Sequence, residues 1–206
     1  MSIAILGSGH MGPIIARVAA EAGYDVSIAN SGDPRNIELI AQVLAPGATA
    51  KWAADAVRDA DIVVLSLPVH RFPELDPDLV AGKLVIDSMN YWPPVDGVQE
   101  MFEDGRRGSS EIVAARLANS TIVKTLNHLG YHELDEDRNT GRALGVAGDD
   151  TTATKTVAEL IERIGYDAVL LDSLADGRLL EPGGPVFGAR LTRAGFEAAI
   201  EKARLS

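Results

Sequence analysis

The segment Gly7-Ser8-Gly9-His10-Met11-Gly12 follows the apolar run Ile3-Ala4-Ile5-Leu6 and opens a stretch of helical periodicity. Its spacing is G-x-G-x-x-G, in which the first glycine permits a tight turn, the second lets a pyrophosphate reach the backbone, and the third lets a helix pack closely on a strand. Unpaired N–H groups and the positive end of the helix dipole then favour an anion. Gly7, Ser8, Gly9, His10, Met11 and Gly12 are therefore expected to hold a dinucleotide. Pro13 suits the first helical turn, where an N–H has no intrahelical partner.

The choice between dinucleotides falls on the turn some twenty residues further on, where an NAD site places Asp or Glu against the ribose 2′-OH. This chain has Asn30 and Ser31 there, with Arg35 after a turn. A hydroxyl and a guanidinium suit a 2′-phosphate, so NADP(H) is the expected cofactor, with Asn30, Ser31 and Arg35 as its ribose-side contacts. Asp33 lies in the same turn, placed either to weaken a phosphate site or to cap the helix after Pro34.

Positioning such a loop takes a strand before it and a helix after it. Short β-branched runs recur over 3–6, 26–29, 62–67, 84–86, 122–126, 143–147 and 168–171, and helical patterns over 11–22, 36–44, 53–59, 109–117, 151–164 and 189–203. Near-continuous apolar strands alternating with helices predict a doubly wound, mostly parallel α/β sheet of the Rossmann type. Asp149-Asp150 reads as a cap for the helix at 151, the stretch 99–110 as a loop, and Glu181-Pro182-Gly183-Gly184-Pro185 as a break before the last helix. A single domain over 1–206 is expected, with 149–206 as a C-terminal extension.

Composition narrows the classes. The formal net charge of −11 argues against a nucleic-acid partner, since phosphate backbones need clustered cations. The chain has no cysteine, which removes disulfides and a thiol nucleophile. Neither a spanning apolar run nor a basic leader is visible, so a cytoplasmic protein without membrane attachment is expected. His128 and His132 have helical metal spacing, but Gly130 between them and the want of a third ligand argue against a metal.

The glycine loop, Asn30-Ser31, Leu65-Ser66-Leu67-Pro68, Val85-Ile86-Asp87-Ser88-Met89-Asn90, Val123-Lys124-Thr125-Leu126-Asn127, Gly145-Val146-Ala147-Gly148-Asp149-Asp150 and Arg178-Leu179-Leu180-Glu181-Pro182-Gly183-Gly184-Pro185 occur in this order. In that order the chain resembles NADP reductases of the 8-hydroxy-5-deazaflavin coenzyme and their short Rossmann relatives. The resemblance implies a compact NADP(H) oxidoreductase passing hydride between nicotinamide and a second ring, often a deazaflavin. Two departures stand out. Gly32 and Asp33 intervene before Arg35, where relatives carry an arginine nearer the serine, and Asn127 stands where some deazaflavin reductases carry histidine.

In a parallel sheet, ligands sit beyond the carboxyl ends of the strands. That places Ser66, Leu67, Pro68 and Asn90 beside the cofactor and His70, Tyr91, Trp92, Asn127 and His128 in range of a second ring. Trp92 offers a flat wall or plain packing; His128 offers a donor to an acceptor carbonyl or a structural hydrogen bond. Lys124 is expected to snorkel from its strand, and Arg71, Arg106 and Arg107 either hold an acidic ligand tail or form solvated surface. Little chain remains after Gly148 for a helical substrate domain, which favours ring-to-ring hydride transfer, a reaction that asks the protein mainly for alignment. A reductase of a small imine or carbonyl, and a non-catalytic NADPH sensor, are the competing readings. Leu180, Val186, Phe187, Leu191, Phe196 and Ile200 give the tail more apolar surface than a terminal appendage usually exposes, which predicts a homodimer.

Overall fold

In the computed structural model, residues 1–103 and 105–205 are described; Asp104, in the expected 99–110 loop, lies outside them. The chain runs β1 Ser2–Leu6, α1 Met11–Glu21, β2 Asp25–Ala29, α2 Glu38–Leu44, β3 Ala48–Ala50, α3 Ala53–Arg58, β4 Ile62–Leu65 and β5 Leu84–Asp87. It continues with α4 Pro93–Asp96, α5 Ser109–Arg116, β6 Thr121–Lys124, α6 Glu133–Glu136, β7 Ala143–Gly148, α7 Thr151–Arg163, β8 Asp167–Leu170 and α8 Arg193–Arg204. Short 3-10 turns lie between them, notably Pro34–Asn36, Val69–Glu74, Pro77–Val80 and Leu174–Leu180.

The eight strands form one sheet in the order β3-β2-β1-β4-β5-β6-β7-β8. All neighbours are parallel except β6 and β7, which run antiparallel and share only the pairs Val123–Gly148 and Lys124–Ala147. This is the doubly wound Rossmann architecture. Burial on both faces explains why the central strands read as near-continuous apolar runs. Ile3, Ile5, Ile62 and Val64 face a core closed by α1, α2 and α7. Ala4, Leu6, Val63 and Leu65 face a second core closed by α3 and α5.

Several boundaries move for local reasons. The strand expected over 122–126 stops at Lys124 because Leu126 takes a left-handed conformation, φ 62°, that turns the chain. The edge strand β3 was not expected; three residues, Ala-Thr-Ala, carry no apolar run. Within the expected helix 36–44, Asp33 caps the 3-10 turn over Pro34–Asn36 and the α-helix begins only at Glu38. Asp150 caps α7 by accepting from Ala153 N–H at 2.8 Å, whereas Asp149 accepts from Leu174 N–H at 2.8 Å and ties the C-terminal turn to the sheet. The last helix starts at Arg193, behind Thr192 as cap.

The tail corrects the reasoning that led to a dimer. Leu180, Val186, Phe196 and Ile200 are 0%, 1%, 1% and 4% exposed, because they fold over the chain's own β7 and β8 as a third core with Ala143, Ala147, Val169 and Leu171. Their apolar surface is therefore covered within one chain.

Candidate functional site

Two of the three glycines in the loop answer to the fold. Gly7 has φ +129°, and a Cβ there would sit 2.0 Å from the Ser66 carbonyl oxygen. At Gly12 a Cβ would sit 2.0 Å from the Gly7 carbonyl oxygen, so α1 seats against the loop only because that residue is bare. Gly9 differs. A Cβ there would meet nothing within 4 Å, so no neighbour in the chain requires glycine at that position. What the missing side chain leaves is open backbone at the N-terminus of α1, whose first turn carries no acidic residue to offset the helix dipole.

That backbone forms part of a cleft of about 640 Å³, within the size range of small-molecule sites. Gly7, Ser8 and Gly9 line it with Asn30 and Ser31 from the end of β2 and Leu67 and Pro68 after β4. His70, Arg71, Glu74, Leu75, Asp76 and Leu79, from the two 3-10 turns that follow β4 and the residues joining them, line it as well. His70 and Arg71 thus line the glycine-loop cleft, and Arg71 pairs with Glu74 at 2.8 Å. His10, Met11, Gly12, Ser66, Arg35 and Asn90 are not among the lining residues. His10 instead stacks on Tyr131, ring centroids 5.2 Å apart, and Tyr131 in turn meets His132 at 4.0 Å. This aromatic ladder links the glycine loop to the chain after β6, and nothing in the spacing of residues 10 and 131 announced it.

In the turn after β2, Asn30 Oδ1 accepts from Gly32 N–H at 2.9 Å, which fixes the chain as it leaves the cleft. Asp33 accepts from Arg35 N–H at 2.9 Å and, with both carboxylate oxygens, from Arg35 Nε at 3.0 and 2.9 Å. Arg35 Nη2 also pairs with Asp33. These hydrogen bonds hold the Asp33 carboxyl below the usual carboxylate range.

Beyond β5 and β6, Asn90 and Asn127 clasp each other. Asn90 Nδ2 donates to the Asn127 carbonyl oxygen at 2.6 Å, and Asn127 Nδ2 donates to Asn90 Oδ1 at 3.0 Å and to the Leu180 carbonyl oxygen at 2.7 Å. His128 is buried beside them. Gly145 N–H donates to its Nε2 at 3.2 Å, so Nδ1 carries the hydrogen and faces Asn127 Oδ1 at 3.3 Å. Both ring nitrogens are engaged, which leaves none for an acceptor carbonyl and makes His128 a structural residue. Burial first, then the charges of Arg142 and Lys124, push its pKa down to about 3.

A stability consequence follows from that depression. Between the ordinary histidine value near 6.5 and about 3, the unfolded chain binds a proton at this position that the folded chain refuses. Stability therefore falls as pH drops below ~6.5, with His128 contributing up to about 1.4 kcal/mol per pH unit, and its effect is absent above that range. Urea melts of the native protein and of His128→Gln at pH 7 and pH 5 should show a steeper acid loss in the native protein. Equal slopes would refute the assignment.

Lys124 does not snorkel. It is 0% exposed, and Nζ donates to Met89 O at 2.6 Å, Ser109 Oγ at 3.2 Å and Asp87 Oδ2 at 3.3 Å. Asp87, also 0% exposed, accepts from Ser110 Oγ at 2.5 Å and, through Oδ1, from Met89 N–H at 3.0 Å. Glu181 extends the network by accepting from Ser109 N–H and Oγ, both at 2.8 Å. One cation thus joins the ends of β5 and β6, the start of α5 and the C-terminal turn, immediately before Asn90. Tyr91 turns away from the crevice to pack on Phe102 at 5.5 Å and to donate to Glu103. Trp92 stands 48% exposed at the start of α4 and is not part of the cleft lining. Among the described residues, no three His, Asp or Glu side chains converge as a metal site, and no helix is long and apolar enough to cross a membrane.

Strand order, a glycine loop at the carboxyl end of β1 and a cleft at the switch point between β1 and β4 define a Rossmann-type protein of the dehydrogenase architecture. Residues 2–91, which carry the glycine loop, the Asn30-Ser31 turn and Asn90, match the family described as NADP oxidoreductase, coenzyme F420-dependent. Over nearly the whole chain the structure is similar to a hypothetical protein of Sinorhizobium meliloti: 29% identity, TM-score 0.80, 94% of this chain and 96% of that one. An Arthrobacter sp. FB24 protein solved as a candidate F420-dependent NADP reductase shares the fold at 21% identity and TM-score 0.76, over 94% of this chain and 100% of its own. The chain is also 24% identical to the metalloreductase STEAP3 of Rattus norvegicus over 87% of its length, and spans 35% of that relative.

Proposed function

We propose that the cleft binds NADP(H) and that the protein is an oxidoreductase transferring hydride between the nicotinamide and a deazaflavin or similarly flat heterocycle. The observation that carries the cofactor is Gly9, whose bare backbone opens into the cleft while no neighbour in the chain needs it bare. The residues present fit a dinucleotide. Gly7, Ser8 and Gly9 offer backbone at the start of α1 to a pyrophosphate, with Met11 and Gly12 seating that helix, and Asn30, Ser31 and Arg71, which line the same cleft, would take the adenosine end. Leu67 and Pro68 supply the apolar wall, and Ser66 supports Gly7 from behind. The match of residues 2–91 supports the redox class and the phosphorylated cofactor.

Bound NADPH would supply the hydride itself. The chain's task is alignment, and the Asn90–Asn127 clasp fixes the loops after β5 and β6 that would border the two rings. Trp92, exposed at that rim, would form the outer wall against a flat acceptor. A cytoplasmic enzyme pairing two small redox cofactors completes the proposal.

The test mixes the protein with deuterated NADPH and oxidised 8-hydroxy-5-deazaflavin, and follows deazaflavin absorbance and the label. Loss of absorbance with deuterium on the product ring is expected. Turnover of an imine or aldehyde without label in the deazaflavin would reassign the acceptor, and NADPH binding with no turnover of any acceptor would make the protein a sensor.

A further inference from the structure

The turn that faces the ribose end of the cleft contains its own anion. Arg35 is separated from Asp33 by a single residue, and its guanidinium lies across both carboxylate oxygens, with Nε at 3.0 and 2.9 Å. The Arg35 side chain is 80% exposed and the Asp33 side chain 25% exposed, so the contact does not hold a core together. Ser31 lines the cleft whereas Arg35 does not. A bidentate carboxylate occupies the same planar donor edge that a phosphate would take.

We propose that Asp33 is a specificity-setting residue: its carboxylate stands in for a 2′-phosphate on Arg35, and competition between the two anions for this guanidinium sets how strongly the protein prefers NADPH to NADH. The inference rests on the reading that the cleft takes NADP(H). Asp33 acts twice against a 2′-phosphate. It engages the fork that would bind the phosphate, and it places a negative charge in the same turn. Neither effect touches NADH, which lacks the phosphate. The backbone role of Asp33 is separable, because the cap of the 3-10 turn needs only a side-chain oxygen accepting from Arg35 N–H, 2.9 Å away. Asp33→Asn keeps that oxygen and removes the charge.

The experiment measures the binding of NADPH, NADH and 2′,5′-ADP by titration, without turnover, to the native protein, Asp33→Asn, Arg35→Ala and the double variant. Asp33→Asn is expected to tighten NADPH and 2′,5′-ADP by about 3- to 10-fold and to change NADH by less than about 2-fold. Arg35→Ala should weaken NADPH towards NADH, and the gain from Asp33→Asn should vanish in the double variant. Unchanged or weaker NADPH binding by a folded Asp33→Asn protein, while the native protein still binds NADPH, overturns the inference and leaves the cofactor reading standing. No measurable binding of any of the three nucleotides by the native protein overturns the cofactor reading itself. Thermal melts of each variant identify any loss that comes from unfolding.

Discussion

Gly9→Asp is expected to weaken NADPH binding by at least ~100-fold, about 2.7 kcal/mol, and to leave the melting temperature nearly unchanged. The asymmetry comes from where the new side chain would point. It meets nothing in the chain, so the fold has no reason to object. It places bulk and a negative charge where a pyrophosphate would approach the helix N-terminus. Gly12→Ala should behave in the opposite way. Its Cβ, 2.0 Å from the Gly7 carbonyl oxygen, forces α1 off the loop and costs about 1 to 3 kcal/mol of stability. Calorimetric titration with NADPH and a thermal melt of each variant separate the two. A Gly9→Asp protein that binds NADPH like the native one would remove the cofactor from this cleft.

Lys124→Met should lower stability by ~3–5 kcal/mol, because it strands the Asp87 carboxylate in the interior with only Ser110 and the Met89 N–H for company. For a chain of this size the loss corresponds to roughly 6–20 °C in melting temperature. Adding Asp87→Leu to Lys124→Met should restore a large part of it, since the stranded charge is then gone. Denaturant melts of the two single variants and the double variant measure the coupling. Additive losses would mean that the pair does not act as a unit.

The pair also shows what a sequence reading reaches and what it does not. Strands β1, β2, β4 and β5 were legible because burial on two faces favours near-continuous apolar runs, with Ser27 the polar residue inside β2 and Asp87 the one that closes β5. The glycine loop was legible because a backbone constraint is written in adjacent residues. Lys124 was not, since its meaning depends on Asp87, thirty-seven positions earlier, and on Ser109 and Met89. His128 depends in the same way on Gly145, and an imidazole in a loop beyond a strand looks equally suited to a ligand or to a backbone amide. The place where the apolar tail packs was hidden for a related reason. Leu180 and Phe196 close over Gly145, where a Cβ would sit 2.6 and 2.8 Å from their side chains, and no local pattern reveals that fit. At Asp33 one carboxylate caps the turn and engages Arg35 at once, so the cap weighed from the sequence leaves room for the competition with a phosphate proposed above.

The reversal between β6 and β7 gives the molecule a seam. Backbone pairing crosses it at only two positions, Val123–Gly148 and Lys124–Ala147, so the ladder that makes the first six strands cooperative does not extend into the last two. Side chains bridge much of the rest: Thr125 Oγ1 to the Gly145 carbonyl at 2.7 Å, Gly145 N–H to His128 at 3.2 Å, and Asn127 to Leu180 at 2.7 Å. A junction made in this way leans on side chains where the backbone ladder is thin, while α7 on its far side still closes the core over Ile3, Ile5, Ile62 and Val64, so the two sides are held together by shared packing rather than by continuous pairing. Because one of its fasteners is a histidine held neutral by burial, protonation at low pH is expected to weaken the seam where Gly145 N–H meets the imidazole, and faster hydrogen exchange at Gly145 in acid would report it.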